Sequence, residues 1–230
     1  MHHRKILALS GATLALVLVP STTALAAGTT VSVRVEGKSR TLLSTTVVRT
    51  HAGSITKGGT PPGVCPSTTA AGALDIATRH RWNGSYSSGL GLSATQILGE
   101  SHPFNPHTYY WSIWVDNRFA PAGICGLKLH RGEQLLFAAV PDTGTDYPIV
   151  INAPRHATEG HPFAVKVLYY NAKGAAKPLA GARVRGVGFS AVSNQQGVVS
   201  IAAQHTGKLE YSATSTGYIR SAQVTVPVSP

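Results

Sequence analysis

The sequence predicts a mostly β protein in two parts. Strands around a single helix come first, a β-grasp-like α+β arrangement, and an all-β sandwich follows. Three observations predict this. Apolar and polar residues alternate with period two from Val31, Val33 and Val35 onward, the mark of half-buried strands. One stretch alone in the mature chain carries convincing helical spacing, with Ala70, Ala73, Leu74 and Ala77 at i, i+3, i+4 and i+7. Beyond residue 148, short alternating runs follow one another with Gly or Asn turns between them and no helix.

Residues 1–26 read as an export signal. Arg4 and Lys5 form a basic start, and residues 6–19 are apolar except for Ser10, Gly11 and Thr13. Ala24-Leu25-Ala26 then has the small-x-small form of a cleavage site, which places the cut after Ala26. The apolar run is short of the roughly 20 residues that a bilayer span needs, so no membrane span is expected after cleavage. No Cys follows the run to carry a lipid, and "VTVPVSP" offers neither a hydrophobic tail nor a basic stop. The mature chain is expected outside the cell, released or held on a surface by non-covalent contacts.

The elements follow in order. "VSVRVEG" is a strand, Gly37-Lys38 a turn, and "RTLLSTTVVRT" the hairpin partner. "GSITKGGTPPGVCP" is loop. The helix starts near Ala70 with Ser67 or Thr68 as cap, and Arg79 and His80 complement its dipole at the far end. "WNGSYSSGLG" reads as a polar glycine-rich loop, "SATQILGE" as a strand and "SHPFNPH" as a turn-rich connection. In "YYWSIWVDNRFAPAGICGLKLHRGEQLLF", Tyr109, Trp111, Ile113 and Val115 share one face, while Tyr110, Ser112, Trp114 and Asp116 share the other. Asp116-Asn117 ends that strand, "GLKLH" resumes as a strand, Arg131-Gly132 turns, and "EQLLFAAV" closes the first part. The domains are therefore placed at 29–140 and 149–230, with 141–148 as linker.

Composition narrows the function. Of 20 Lys and Arg, two lie in the leader, leaving 18 against 9 Asp and Glu, a formal charge of +9. The basic residues are scattered, with no run of five, and no nucleic-acid-binding motif accompanies them, so nucleic acid is excluded as a partner. Weak attraction to acidic polymers remains. The two cysteines, Cys65 and Cys125, read as a disulfide in an exported chain, because two ligands cannot close a zinc site. Closing a loop of about 60 residues stabilises the fold by roughly 4 kcal/mol on the chain-entropy model.

The first domain resembles an exported bacterial domain of unknown function related to the C-terminal β-domain of transcobalamin and intrinsic factor. The residues that carry the likeness are "VSVRVEG", "ALDIA" and the long aromatic stretch, with Trp111, Asn117, Gly123, Leu129, Gly132 and Glu133 at the matching places. The resemblance implies a β-grasp fold and makes Cys65–Cys125 the natural bridge. The second domain is similar to bacterial immunoglobulin-like modules of the invasin or carboxypeptidase-regulatory kind, on "PLAGARVRG", "SNQQGVVSI" and "GKLEYSATSTGYIRSAQVTVPV". Such modules are spacers or adhesive units, so this likeness implies an architecture more than an activity.

No catalytic motif is present: no G-x-S-x-G, H-E-x-x-H, P-loop or G-x-G-x-x-G. His102 and His107, five apart between prolines, lack the further ligands of a metal site, and Glu100 with His102 lacks a third orienting group. No catalytic residue, metal or cofactor is assigned, and the protein is read as a non-enzyme. The aromatics carry the binding reading. With Trp111 turned to the helix, Tyr110 and Trp114 face outward, where exposed rings stack on sugars or flat ligands. Trp82 and Tyr86 are a second candidate pair. The competing expectation is that loops or the second domain cover these rings. The expected role is contact with an acidic cell-wall polymer or an extracellular protein. The alternatives are corrinoid-type capture by the first domain, without the helical barrel that completes a transcobalamin pocket, and a purely structural spacer.

Overall fold

The computed structural model describes residues 28–105, 108–144 and 146–230. The expected leader with its cleavage point at Ala26, and His107, lie outside these residues. Among them, eighteen strands and one α-helix are found, so the protein is mostly β with a single helix.

The first half builds a five-stranded sheet from β1 (Thr30–Glu36), β2 (Thr41–Arg49), β6 (Tyr109–Val115), β7 (Arg118–Phe119) and β8 (Gln134–Pro141), in the order β2-β1-β8-β6-β7. The β1–β8 pair is parallel and the others antiparallel, which with one helix on one face is the β-grasp arrangement. The register sets Val33 beside Leu135 and Val35 beside Phe137. All four side chains are buried, as their alternation requires. A separate sheet holds β3 (Trp82–Ser87), β4 (Gly91–Ile97) and β5 (Glu100–Ser101), in that order.

Helix α1 (Ala70–Ala77) is buried almost all round because its residues are small. A Cβ at Gly72 would lie 1.8 Å from the Ser67 carbonyl, so only glycine permits this close packing. The N-cap is Thr69, one residue beyond the expected cap, and its side chain makes no capping bond. The first-turn amides are satisfied by tertiary contacts instead. Ala70 N–H donates to the Leu127 carbonyl and Ala71 N–H to that of Ile124. That duty explains a second departure. "GLKLH" forms no strand beyond an isolated bridge of Lys128 to Thr69, since its backbone is bent onto the helix start. Arg79 and His80 lie past the last turn, at φ 53° and 63°, so they sit in a turn rather than on the helix end.

The stretch "WNGSYSSGLG", expected as loop, contains β3. Trp82, Gly84 and Tyr86 point inward. The middle one has no side chain, because a Cβ there would come within 2.7 Å of the Ser93 carbonyl. The missing side chain hides the alternation. "SATQILGE" breaks into β4 and β5 at Leu98-Gly99, both at positive φ.

The second half is a sandwich. The strands are β9 (Tyr147–Asn152), β10 (Ala157–Thr158), β11 (Pro162–Tyr170), β12 (Ala176–Pro178), β13 (Arg183–Gly186), β14 (Phe189–Val192), β15 (Val198–Ala202), β16 (Gly207–Thr214), β17 (Tyr218–Ile219) and β18 (Val224–Ser229). One sheet runs β10-β18-β16-β13-β14, and the other runs β12-β11-β9-β17 with β15 paired to β11. Their facing sides bury Ile149, Val165, Val167, Val184, Ile201, Tyr211 and Val226 in one core. Tyr211 is buried beneath Phe189, and its hydroxyl has no hydrogen-bond partner among the described residues. Burial pushes its phenol up to about 12. Tyr211→Phe removes the unsatisfied hydroxyl and is expected to stabilise the fold by about 1 kcal/mol in urea denaturation. Burial raises the folded-state value, so the wild type has its full stability below pH 10 and loses some of it as the pH rises from there towards about 12. The variant lacks that alkaline loss.

Candidate binding cleft

The site is built on the incomplete edge of β6. Asp116-Asn117, both at positive φ, make the two-residue turn that sends β7 back along β6. Pairing stops after Trp114–Phe119 and Val115–Arg118. Ala120 N–H still donates to the Ile113 carbonyl at 2.9 Å. Pro121, without an N–H, then turns the chain, and Ala122 N–H folds back onto the Ala120 carbonyl.

Backbone alternation identifies what this leaves open. Asp116 N–H donates to Gln134, and Asp142 N–H donates to Thr108, across the β6–β8 pair. The even-numbered residues of β6 therefore direct their backbone groups to β8, and the odd-numbered ones direct theirs to the opposite edge. Among the described residues, no partner is found for the Trp111 N–H and carbonyl or for the Ile113 N–H.

A cleft of about 440 Å³ lies along this edge, between β6 and the β3–β4 hairpin. Tyr110, Trp111, Ile113, Leu92, Phe104 and Phe119 supply its apolar wall, and Ser85, Ser87, Ser93 and Thr95 supply hydroxyls. Among the described residues, no Asp, Glu, Lys, Arg or His lines it. Phe104 is 68% exposed and stands edge-on to Tyr110, with ring centroids 6.2 Å apart. Burial, and then the nearby charge of Asp142, raises the Tyr110 phenol above its ordinary value. Trp111 is buried, and its indole Nε1 has no hydrogen-bond partner among the described residues.

Of the expected aromatic residues, the cleft gathers Tyr110 alone. Trp114 is 4% exposed, so for this ring the competing expectation, cover by the rest of the molecule, is the one the structure shows. Phe119 and Tyr147 lie edge-on to its ring at 5.4 and 6.3 Å, and Ile219 of the sandwich joins the same cluster. Its Nε1 donates to Ser112 Oγ at 3.1 Å, and that hydroxyl donates to the Ala138 carbonyl. Trp82 is likewise buried, with Nε1 donating to Asp75 Oδ1 at 2.7 Å, so it anchors the hairpin to the helix. Tyr86 is half-buried against the first core and does not line the cleft. Phe104, Trp111 and Phe119 are the residues that sequence reasoning left out. An aromatic between two prolines in "HPFNPH" was the one local signal for Phe104.

The titratable clusters have structural partners. Asp75 also meets His80 Nδ1 at 2.6 Å and Lys57 Nζ at 3.7 Å. Glu100 accepts from Lys38 N–H at 2.7 Å and lies 2.8 Å from His102 Nε2, whose ring stacks edge-on to Trp111. Burial pulls the Glu100 carboxyl upward, but the His102 and Lys38 hydrogen bonds outweigh it and hold it below the ordinary value. Among the described residues, no group of three or more His, Cys, Asp or Glu is placed to hold a metal ion. Nor is any helix among them long and apolar enough to cross a membrane. Cys65 and Cys125 are joined in a disulfide.

The fold and cleft define a disulfide-bridged β-grasp and sandwich protein with an open strand edge. No family model matches the chain, and none of the curated proteins does. Among solved structures, red sea bream transglutaminase is similar over 43% of this chain and 17% of that chain, at 20% identity and a TM-score of 0.24. The chain spans a small part of that protein's length, and a likeness at this level carries no argument about function.

Proposed function

We propose that the protein is a secreted, non-catalytic binding protein that holds an extracellular polymer or protein partner in the cleft beside β6. The carrying observation is the cleft itself, concave, aromatic-rimmed and, among the described residues, without Asp, Glu, Lys, Arg or His along its walls. A site so lined supplies apolar contact and hydrogen bonds to a partner, with no carboxylate, imidazole or amine among its described residues. The disulfide fits an oxidising compartment, and the expected charge of +9 favours approach to acidic wall polymers. The resemblance of the first half to the transcobalamin-type β-domain agrees with a binding role.

The test is co-sedimentation of the oxidised mature protein with purified bacterial cell walls at low and high salt. Retention is expected to survive high salt. Ala122→Trp, which fills the exposed rim, is expected to reduce it by about tenfold at unchanged thermal stability. Retention that disappears with salt means charge attraction alone and sinks the cleft reading. The aromatic wall also favours a second reading, capture of a flat ligand of corrinoid type against one face, and a shift in cobalamin absorbance on mixing separates it from the first.

A further inference from the structure

We infer that the occupant of this cleft is an extended, uncharged polypeptide segment that adds to β6 as a neighbouring strand. The inference rests on the cleft being the binding site and names the chemistry of what enters it. Three independent features carry it. First, the open edge presents the Ile113 N–H, the Trp111 carbonyl and the Trp111 N–H, the groups that the next residues of β7 would have used. Unpaired backbone groups at a partly buried edge are costly, and the partner that matches their spacing is another extended backbone. A sugar or a flat ring system has no donors and acceptors at strand repeat.

Second, Trp111, which lines the cleft, is 7% exposed, and its Nε1 finds no acceptor among the described residues. A buried indole N–H without a partner is uncommon, and a small opening of the rim on binding lets a carbonyl of the incoming strand reach it. Third, the described residues of the cleft walls carry no charge, although the chain as a whole is strongly basic. A charged segment would lose its hydration there and find no counter-ion, so the stretch seated on β6 is uncharged. Its alternate side chains meet apolar rings such as Phe104 and Phe119 and the hydroxyls of Ser93 and Thr95. In strand addition of this kind, main-chain bonds supply affinity and alternate side-chain pockets supply selectivity.

The test uses a displayed library of short random linear peptides, selected on the oxidised mature protein and counter-selected on Ala122→Trp. Selected peptides are expected to be uncharged at their centre and to shift the NMR signals of the Trp111 amide, the Ile113 amide and the Trp111 indole. N-methylation of alternate peptide amides in one register is expected to weaken binding by about fivefold to tenfold, and methylation in the other register much less. Replacing Trp111 by its benzothiophene isostere keeps the bicyclic ring but removes the N–H, and is expected to weaken the same peptides about fivefold without lowering the thermal midpoint. Equal sensitivity to methylation in both registers overturns strand addition, as does failure to select any peptide. If peptides fail but Ala122→Trp still abolishes wall retention, the cleft reading stands and this inference alone falls. If the same amides shift with protein concentration in the absence of peptide, the occupant is a second copy, and the partner segment is rejected.

Discussion

Replacing both bridge cysteines, as Cys65→Ala with Cys125→Ala, is expected to lower the stability of the first half by about 4 kcal/mol. Its melting midpoint should fall by on the order of 15 °C. The bridge closes a sequence separation of 60, which sets the entropy released to the unfolded chain. Its position adds to the effect. Cys65 is fully buried just before α1, and Cys125 lies in the segment whose Ile124 and Leu127 carbonyls accept the first helix amides. Without the bridge, those acceptors are held only by their own hydrogen bonds. The residues from Ala120 to Ala122 on the cleft rim precede the same segment, so partner binding should weaken with stability. Differential scanning calorimetry of the two-Ala variant against the oxidised wild type checks this. A drop below about 1 kcal/mol means the reduced chain keeps the segment in place through packing alone.

Much of this fold was legible because local pattern and tertiary burial agree. The alternating valines of β1 and the single helical spacing at Ala70–Ala77 act through short-range geometry, and the two cysteines were legible because an exported chain with only two has one pairing to make. The failures share a different cause. Gly84 removed the one side chain that would have shown β3 alternating, and the helix cap was supplied by carbonyls more than fifty residues away. Trp114 was read as outward, and it is outward with respect to its own sheet. The sandwich then covers that face through Tyr147 and Ile219, which no periodicity in β6 can announce. The cleft was illegible for the same reason. It depends on where β7 stops, and Pro121 indicates a break without showing what the exposed edge will face. Arg34 and Glu36 complete the pattern. On β1 they alternate with the core valines and read as a solvated polar face, yet Arg34 is 9% exposed and Glu36 is 2% exposed.

Those two residues carry the second large expectation. Glu36→Ala is expected to cost about 3–5 kcal/mol, an effect of the same order as loss of the disulfide. One carboxylate oxygen of Glu36 accepts from Arg34 Nη1 and the other from Arg220 Nη1, each at 2.7 Å, and the Thr41 hydroxyl donates to both. Arg34 also donates to the Arg220 carbonyl at 2.8 Å, so the cluster ties β1 to the sandwich. Burial pulls the Arg34 guanidinium below its ordinary value, and the charge and hydrogen bond of Glu36 oppose that pull. Removing the carboxylate leaves two guanidinium groups facing each other with little water to screen them, and the least costly response is for the two halves to part. Urea denaturation should therefore lose cooperativity, and proteolysis between residues 142 and 146 should accelerate. High salt should rescue little, because the wild-type pair is buried. The triple variant Arg34→Met, Glu36→Leu, Arg220→Met removes every charge at once and is expected to recover most of the loss, since a buried triad and an apolar cluster of similar volume are nearly equivalent in stability. If Glu36→Ala instead changes stability by less than about 0.5 kcal/mol, as an ordinary surface substitution does, the network is solvated in solution and the two halves are held by other contacts, among them the Trp114 cluster and the Phe119 N–H to Ala172 carbonyl bond.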